Sequence, residues 1–391
     1  MGNFGCKPLP GLFLSLIWFC VSLILTTCDA FPEATVTPLP SPSPQPQTAE
    51  RGPILTPAPT GTWQTYRMDD GLPHPSTTAV AAAPDGGVWV GTARGAAYFD
   101  GQRWTSYRMG DGLLSDLILA MAVDAMSTAW FGTDKGVTRF DGQNWTHYTE
   151  EDGLPAGYIQ VIEVDQDGKV WLGITGAGSD WAFGNGVAYL DDADTADKGD
   201  DNLQLYPPTR ERMAGDVVSA IADLDEAGIW FGVTPEGTVR ANSGRGGLWR
   251  LTNVETGDPD EGNWAVARAA DGLPSDTVTT LAVAPSGDLW LGTMAGLARV
   301  PAQARSAFVF DQAELYGTAD GLPSERILAL AVNSDGRLWI GTDAGLAVLE
   351  EGYVETITMA DGLADNQIRA VAIAADGAVW VATPSGVSVR R

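Results

Sequence analysis

Short apolar segments recur along the chain from residue 62 onward, separated by turns that contain glycine. Segments such as "VTTLAV" (Val278 to Val283) precede segments of the type "LWLGT" and "GLARV". Apolar runs of this length bounded by glycine predict β-strands rather than helices. A further segment such as "NWTHY" supplies a fourth strand, so the sequence predicts repeated units of four short strands.

Asp-Gly pairs follow the first apolar segment in four of these units, at Asp85, Asp167, Asp335 and Asp376. Such pairs predict tight hairpins, in which both central residues tend to need a positive φ angle. The first and second strands of a unit are therefore predicted to pair in antiparallel fashion.

The tryptophan of the second strand places seven units in register. It stands at Trp89, Trp130, Trp171, Trp230, Trp290, Trp339 and Trp380, with spacings of 41, 41, 59, 60, 49 and 41 residues. A period of about 40 to 50 residues is typical of propeller blades. Because one buried indole removes about 150 to 250 Å² from water, we assign these tryptophans to packing between blades; stacking on a sugar or a base is the alternative.

The two ends of the repeat region are complementary. The last unit stops after its third strand, "GVSVRR", whereas a spare outer strand, "TWQTY", stands at Thr62 to Tyr66. If this N-terminal strand completes the seventh blade, the ring closes and no sheet edge is left open to aggregation. The sequence therefore predicts an all-β fold, a seven-bladed β-propeller of four-stranded antiparallel blades over residues 62–391.

A tetrad of the type "DGLP" precedes six of the seven units, at Asp70, Asp111, Asp152, Asp271, Asp320 and Asp361. Its residues suit a turn, since aspartate can accept a hydrogen bond from its own backbone and glycine tolerates positive φ. The leucine offers an apolar anchor between blades. We interpret the six copies as turns between blades and not as six binding sites. The tetrad is missing before unit four, which has "ERMAGD" instead.

The recurring string "DGL(P)...L.V...G.LWiGT..GL.r.dg..w..y" resembles the two-component regulator propeller repeat, over about residues 62 to 391. That family occurs in the periplasmic sensor portions of bacterial hybrid histidine kinases and in free-standing extracytoplasmic proteins. The resemblance implies a β-propeller with a sensing or binding role. Since neither a kinase nor a response regulator follows the ring, transmission of a signal is expected to need a separate sensor kinase.

Composition excludes several functions. The formal charge is −27 over 391 residues, which repels phosphate backbones, so nucleic acid is not expected as a partner. The three cysteines lie within the first thirty residues, and only two histidines occur, His74 and His147. Cysteine nucleophiles and histidine-rich metal sites are therefore excluded from the propeller, and a Ser-His-Asp arrangement is disfavoured.

The N-terminal segment is predicted to contain an export signal followed by a spacer. Residues 1–28 contain the apolar run "GLFLSLIWFCVSLILTTC" and are interpreted as a signal peptide. Its end resembles a lipobox with Cys28 as the lipidated residue, although Thr27 departs from the usual Gly, Ala or Ser. Cleavage after Ala30 and retention as a signal anchor are the alternatives. Residues 29–61, rich in proline, are predicted to be a disordered, extended linker. All three interpretations place the propeller outside the cytoplasm, membrane-anchored only through its N-terminus or secreted.

Units three and four carry insertions. Between their second and third strands they have "TGAGSDWAFGNG" and "PEGTVRANSGRGG", which propeller geometry places on one face. These loops supply the candidate ligand-binding residues Trp181, Phe183, Arg240 and Arg245. Aromatic rings beside guanidinium groups suit a sugar, a carboxylated glycan or a peptide. The alternative is that these are variable surface loops whose aromatic residues pack locally.

The opposite face of the same blades is predicted to be acidic. The insertion "DDADTADKGDDN" contains Asp191, Asp192, Asp194 and Asp197, whose oxygens are candidate ligands for Ca²⁺. The spacing does not match an EF-hand loop, because Ala196 stands where a ligand is required. A solvated acidic loop without any cofactor is the favoured interpretation.

Two carboxylates interrupt the innermost strands. Eight residues before the aligned tryptophan, unit three has Glu163, and every other unit has an alanine. Unit four has Asp223 at the next position, or at the same position if its hairpin is one residue shorter. Carboxylates beside a central channel are costly unless they are paired, hydrated or bound to a cation. A water-filled channel mouth, a metal site and an acid/base pair are the open interpretations.

The sequence favours a non-enzymatic binding module that recognises an oligosaccharide, a peptide or a protein in a sensory or signalling context. No catalytic motif is recognised. A lyase or glycosidase that uses Glu163 and Asp223 is one alternative, because propellers host enzymes and binding proteins alike. A scaffold lipoprotein in envelope assembly is the other.

Overall fold

A computed structural model describes residues 49–55, 61–176, 186–192, 198–206, 216–224, 228–235, 246–252 and 263–391. The chain divides into two units, residues 1–43 and 44–391, and all described residues belong to the second. Cys28 and the apolar N-terminal segment lie outside the described residues. Within these ranges, no helix is long and apolar enough to span a membrane.

Seven antiparallel sheets form the seven predicted blades. The innermost strands are β3 (Thr77–Ala82), β7 (Ile118–Val123), β11 (Gly157–Val164), β15 (Asp216–Asp223), β19 (Val278–Val283), β23 (Ile327–Val332) and β27 (Ala370–Ile373). The second strands are β4 (Val88–Thr92), β8 (Ala129–Thr133), β12 (Val170–Gly176), β16 (Ile229–Pro235), β20 (Leu289–Thr293), β24 (Leu338–Thr342) and β28 (Val379–Thr383).

The third strands are β5 (Gly95–Phe99), β9 (Val137–Phe140), β13 (Gly186–Asp191), β17 (Gly247–Thr252), β21 (Gly296–Val300), β25 (Leu346–Glu350) and β29 (Gly386–Arg390). The outer strands are β6 (Trp104–Tyr107), β10 (Trp145–Tyr148), β14 (Asn202–Tyr206), β18 (Asn263–Ala267), β22 (Glu314–Tyr316), β26 (Tyr353–Ile357) and β2 (Trp63–Tyr66). Each inner strand lies against the next, and β27 lies against β3, so the blades form a closed ring.

The ring closes as predicted, through the N-terminal strand. Strand β2 pairs with β29, with Trp63 opposite Arg390 and Tyr66 opposite Val387. The Tyr66 ring is buried and stacks 6.0 Å from Trp380 of the same blade. The closing strand therefore contributes both ladder hydrogen bonds and core packing.

One strand lies where the sequence predicted a disordered linker. Strand β1 (Glu50–Arg51) pairs with β6 as a fifth strand on the outer edge of blade one. Beyond it, the backbone N–H groups of Gly52 and Leu55 donate to the carbonyls of Trp104 and Gln102. The edge of β6 presents unpaired backbone groups, and the end of the linker satisfies several of them. At these residues the structure differs from the prediction.

The hydrophobic core consists of seven clusters, one between each pair of neighbouring blades. All seven aligned tryptophans are buried, with no more than 7% of their surface exposed. Their assignment to blade packing is confirmed. Because every cluster draws residues from two blades, each blade depends on its neighbours for stability.

The "DGL" tetrads form the predicted turns. Each aspartate ends a short 3₁₀ turn and accepts a hydrogen bond of 2.8 to 2.9 Å from the backbone N–H three residues before it. The next glycine has positive φ and the leucine is buried. The turns are Met68–Asp70, Met109–Asp111, Glu150–Asp152, Ala269–Asp271, Thr318–Asp320 and Met359–Asp361.

The Asp-Gly hairpins differ in one detail from the prediction. In the turn after β3, the N–H of Gly86 donates to the carbonyl of Ala83, and the N–H of Ala83 donates to the carbonyl of Gly87. Only Gly86 has positive φ, whereas Asp85 does not. The loop is longer than a two-residue hairpin, so the left-handed conformation falls on glycine alone.

The glycine of "WxGT" makes room for the next blade. In six blades, a Cβ at this position would lie 2.6 to 3.0 Å from a branched side chain at or near the start of the next inner strand. A Cβ at Gly341, for example, would lie 2.6 Å from the Ile368 side chain. Blade seven has Ala382 instead. The inner strand that follows it begins with Thr77, a smaller residue whose hydroxyl donates to the carbonyl of Thr383. The two exceptions compensate each other.

The threonine of the same motif caps the turn to the third strand. Its buried hydroxyl donates to the carbonyl of the glycine three residues on, at 2.7 to 2.8 Å in five blades. Blades three and four have Ile174 and Val233 here, where β12 and β16 continue for two more residues. These blades lack the short turn that a threonine would cap.

One α-helix, α1 (Ala302–Ser306), lies between β21 and β22. Its aromatic continuation, Phe308 and Phe310, packs near Trp230 of blade four. Blade five thus has no tryptophan at the start of its outer strand, whereas blades one, two and seven have Trp104, Trp145 and Trp63 there.

Candidate functional site

Glu163 occupies the alanine position of the inner strand. On β11 it stands opposite Trp171, as Ala81 stands opposite Trp89 and Ala222 opposite Trp230. Its side chain is partly exposed. Glu163 therefore places a carboxylate at the position where the other six inner strands have the methyl group of an alanine.

Asp223 occupies the next position, on β15 of blade four. It stands opposite Ile229, so the alternative alignment with Glu163 is wrong. The equivalent position in other blades is aliphatic: Ala82, Val123, Val164, Val283, Val332 and Ile373. An Asp223 carboxylate oxygen accepts a long hydrogen bond, 3.4 Å, from the backbone N–H of Gln166 in blade three. The side chain thus bridges two neighbouring blades.

A third carboxylate, Asp165, belongs to the same group and was missed by sequence reasoning. It follows β11, and its carboxylate accepts hydrogen bonds from the Trp171 indole at 2.8 Å and from the Lys169 backbone at 2.9 Å. Unit two could have indicated this carboxylate, because Asp124 occupies the equivalent position there and accepts a hydrogen bond from the Trp130 indole. We call Glu163, Asp165 and Asp223 the channel carboxylates.

The pKa values of Glu163 and Asp165 are both raised above their ordinary values. Burial, followed by the charges of Asp223 and Asp165, raises the pKa of Glu163 to about 8. Burial also raises the pKa of Asp165, with a contribution from Asp223, while the hydrogen bond from Trp171 opposes it. Because the charged form is disfavoured in such surroundings, Glu163 is mostly protonated at neutral pH. It can then donate a hydrogen bond as well as accept one.

The acidic insertion of blade three is only partly described. Asp192 is buried and pairs with Arg139 of blade two at 2.8 Å, and Asp201 accepts a hydrogen bond of 2.7 Å from the Tyr148 hydroxyl. Asp194 and Asp197 lie outside the described residues. Among the side chains that the structure describes, no group of three or more is arranged to hold a metal ion. The calcium site formed with Asp191 stays a prediction.

The predicted ligand-binding residues, Trp181, Phe183, Arg240 and Arg245, also lie outside the described residues. The ends of their loops are described, because β12 and β16 lead into them and β13 and β17 lead out. Their role stays a prediction.

Both histidines have local structural partners. The His147 Nε2 lies 2.7 Å from the carbonyl of Gly112 in the "DGL" turn. Ser106 and Thr65 donate to the equivalent carbonyls of Gly71 and Gly362. The His74 Nδ1 accepts a hydrogen bond of 3.1 Å from the backbone of Ser76. These contacts explain the two histidines without a catalytic role.

A cleft of about 490 Å³ opens between blades five and six. Trp290, Tyr316 and Leu349 line it beside the polar side chains of Ser286, Asp288, Arg299, Ser334, Asp335 and Glu351. Arg299 donates to Asp288 at 2.7 and 3.0 Å and to Glu314 at 3.1 Å. The cleft is of ligand size, but its strongest charges already neutralise one another.

Beside the cleft, blade six has smaller side chains than blade two at two matching positions. At the corresponding positions, blade two has Phe140 and Trp145, whose rings stack 4.1 Å apart. Blade six has Leu349 and Val354 as the matching pair. The loss of the outer-strand tryptophan was visible in the sequence, where "YVETI" replaces the usual pattern.

The ring, its closure and its repeats define a class of protein. The family model described as "Two component regulator propeller" matches residues 272–295 and 321–344. This match confirms the resemblance at two successive repeats. Each match runs from a "DGL" turn to the "GT" turn. The protein is therefore a seven-bladed β-propeller in which two successive repeats match the two-component regulator propeller model. No curated protein matches the sequence significantly.

Solved structures share the fold at low sequence identity. The extracellular domain of a protein assigned as a hybrid two-component system from B. thetaiotaomicron is 22% identical, with a TM-score of 0.66 over 85% of this chain. The chain spans 41% of that structure's length. A virginiamycin B lyase from Staphylococcus aureus is 12% identical, with a TM-score of 0.60 over 84% of this chain and 98% of the lyase.

YCF48 bound to D1 peptide is 13% identical, with a TM-score of 0.53 over 87% of this chain and 97% of that one. An extracellular domain of a two-component system, a lyase and a peptide-bound propeller thus share this architecture. At such identities the likeness shows the fold alone, and function has to be argued from the site.

Proposed function

We propose that this protein is a non-enzymatic recognition propeller that binds an oligosaccharide or a peptide outside the cytoplasm, within a sensory pathway. The observation that carries the proposal is the position of Glu163 in an otherwise small-residue ring, beside Asp165 and Asp223. Glu163 and Asp223 fall in blades three and four, which also carry the insertions. The other repeats have small or aliphatic residues at these two positions, so a ligand is the best explanation of the two carboxylates.

The repeat type supports a sensory role. Two repeats match the two-component regulator propeller model, and an extracellular domain of a two-component system shares the fold. The apolar segment before Cys28 supports export, with a lipid anchor at Cys28 or secretion as the two forms. A separate sensor kinase is the partner through which a bound ligand would act.

The protonation of Glu163 restricts the ligand. With a pKa of about 8, its carboxyl group is largely neutral at pH 7 and can donate to a hydroxyl or carbonyl oxygen. Asp223 and Asp165 repel an anionic group at the same place. The channel carboxylates therefore favour the neutral hydroxyls of a sugar or the amides of a peptide, and Trp181 and Arg240 are proposed to extend the contact.

A glycan and peptide array probed with the full chain tests this proposal. We expect binding that weakens at least tenfold, about 1.4 kcal/mol, in each of Glu163→Ala, Trp181→Ala and Arg240→Ala. Glu355→Ala is the matched control, because Glu355 is an exposed carboxylate on blade six. Equal binding by all four variants would reject the proposed site.

A carboxylate-based lyase or glycosidase is the second candidate. One observation favours it, namely the raised pKa of Glu163 next to two further carboxylates, since a general acid needs a pKa near the working pH. An oligosaccharide panel incubated with the protein distinguishes the two functions. Product formation that disappears in Glu163→Gln would establish the enzyme, whereas binding without turnover supports the recognition propeller.

A further inference from the structure

The negative charge of the chain is distributed unevenly around the ring. Residues 113–357, which include blades two to six, contain 14 Lys and Arg against 39 Asp and Glu, a net charge of −25. Residues 49–112 contain five arginines and six acidic residues, and residues 358–391 contain three of each. We call these last two segments, which hold blades seven and one, the neutral sector. Its net charge is −1.

Four of the ten large apolar residues that are exposed in the described part of the chain, Ile54, Met68, Met109 and Met359, lie in the neutral sector. Met359, Met68 and Met109 begin the 3₁₀ turns at three consecutive blade junctions, and half or more of each residue is exposed: 55%, 54% and 50%. The other described junctions have Glu150, Ala269 and Thr318 at this position. The three methionines therefore form a row across one sector of the rim.

The end of the linker adds to this row. Ile54 is 69% exposed and follows β1 on the edge of blade one. Two residues earlier, Gly52 packs closely against Gly71, which follows the turn that Met68 begins. The linker thus places a further apolar side chain near the row.

The composition of the neutral sector is that of a protein interface. All eight of its cations are arginines, and the four lysines of the chain lie elsewhere. Methionine and arginine are enriched in interfaces, whereas lysine and glutamate are depleted. Methionine side chains also adapt easily to an opposing surface because they are unbranched and polarizable.

Charge determines which partner fits. Two copies that met through blades two to six would bring together surfaces of strong like charge, which the Debye length of about 8 Å at physiological salt only partly screens. Two copies that meet through the neutral sector avoid this repulsion and keep the acidic blades apart. Exposed Arg67 and Asp69 stand beside the methionine row, so a two-fold axis allows Arg67 of each copy to pair with Asp69 of the other.

We infer that the chain forms a symmetric dimer through the neutral sector, with the methionine rows of the two copies packed against each other. A stable interface buries about 800 Å² per partner, so the contact extends over several blade junctions, as the row does. This inference is independent of the ligand proposed above.

Sedimentation velocity of the full chain over a range of protein concentrations tests the dimer. We expect a reversible dimer whose dissociation constant rises at least tenfold in the double variant Met68→Glu, Met109→Glu. Met126→Glu is the matched control, since Met126 is 77% exposed but lies in a turn of blade two. All changed residues are exposed, so unfolding curves should coincide.

Salt gives a second readout with a definite sign. Because the net repulsion between two acidic rings is screened by salt, raising NaCl from about 20 to about 300 mM should strengthen the dimer. A chain that is monomeric at every concentration and salt level overturns the inference. A dimer that tolerates the double variant as well as it tolerates Met126→Glu also overturns it.

Discussion

At the scale of single residues, Glu163 is the position where the sequence most clearly departs from the repeat and where the structure gives that departure a physical cost. An acid whose pKa is raised by folding is ionised more readily in the unfolded chain. The free energy of unfolding therefore falls as pH rises from the ordinary glutamate pKa, about 4.3, through the folded value of about 8.

Glu163→Gln removes this cost. We expect the variant to unfold like the parent at pH 4 but to be more stable at pH 9, by on the order of 1 kcal/mol because the channel partly solvates the group. Urea unfolding at the two pH values measures the difference. Glu355→Gln, on an exposed strand, should show no such pH dependence. A difference that is the same at both pH values would show that Glu163 is not perturbed.

The glycine of the second strand gives another residue-scale prediction. Gly341→Ala places a Cβ about 2.6 Å from the Ile368 side chain, and such overpacking costs about 1 to 3 kcal/mol. Blade seven indicates which second substitution would relieve this overpacking, because Ala382 occurs there together with the smaller residue Thr77. The double variant Gly341→Ala, Ile368→Thr should therefore be more stable than the sum of the two single effects predicts.

A double-mutant cycle from urea unfolding measures this coupling. Ala382→Gly is the control, which should cost only the backbone entropy of glycine, about 0.5 to 1 kcal/mol. Strict additivity of Gly341→Ala and Ile368→Thr would show that the two residues do not share one space.

At the scale of elements, closure is the step that separates a ring from an open array of blades. Deleting residues 62–68 removes β2, including the buried Tyr66 and its contacts with Trp380 and Trp104. Burial of one large apolar side chain contributes about 1.5 to 3 kcal/mol. We expect a loss of at least about 3 kcal/mol in the free energy of unfolding.

The matched control is deletion of residues 49–55, which removes β1 but leaves the four strands of blade one and the closing strand in place. Thermal unfolding of both variants should show a small effect for this deletion and a large one for residues 62–68. Similar melting of the shorter ring and the parent would contradict the closure.

The elements also show why some features were predictable. The register of all seven units follows from Trp89 to Trp380, because each blade must bury its tryptophan between neighbours. The turns follow from the "DGL" tetrads for the same reason, since aspartate, glycine and leucine each have a local task. These features could be predicted because the residues that determine them are close together in the sequence and recur in most repeats.

Other features depend on contacts between residues that are far apart in the sequence. Strand β1 has a proline-rich sequence around it, and its pairing depends on a free sheet edge that only the folded blade presents. Asp165 has a counterpart in Asp124 of unit two, but its proximity to Asp223, which is 58 positions away in the chain and lies in the next blade, could not be predicted from the sequence. The open cleft beside Trp290 likewise depends on the space that the side chains of Leu349 and Val354 leave unoccupied between the two blades.

At the scale of the whole molecule, the ring combines two asymmetries. The channel carboxylates and the insertions fall in blades three and four, whereas the neutral sector falls in blades seven and one. In a ring of seven, these pairs are separated by blade two on one side and by blades five and six on the other. A ligand at the channel mouth and a second copy at the rim could therefore bind at the same time.

The pairing of β2 with β29 also determines when the molecule can be completed during its synthesis. Gly61 donates its backbone N–H to the carbonyl of Arg391 at 2.6 Å, so the first and the last residues of the ring meet within one blade. The ribosome makes β2 before any other strand of the four-stranded blades and makes its partner last. For more than 300 residues of elongation, the growing array has an incomplete final blade and an unpaired first strand. The nascent ring is thus exposed to misassembly until β29, the partner of β2, has been made.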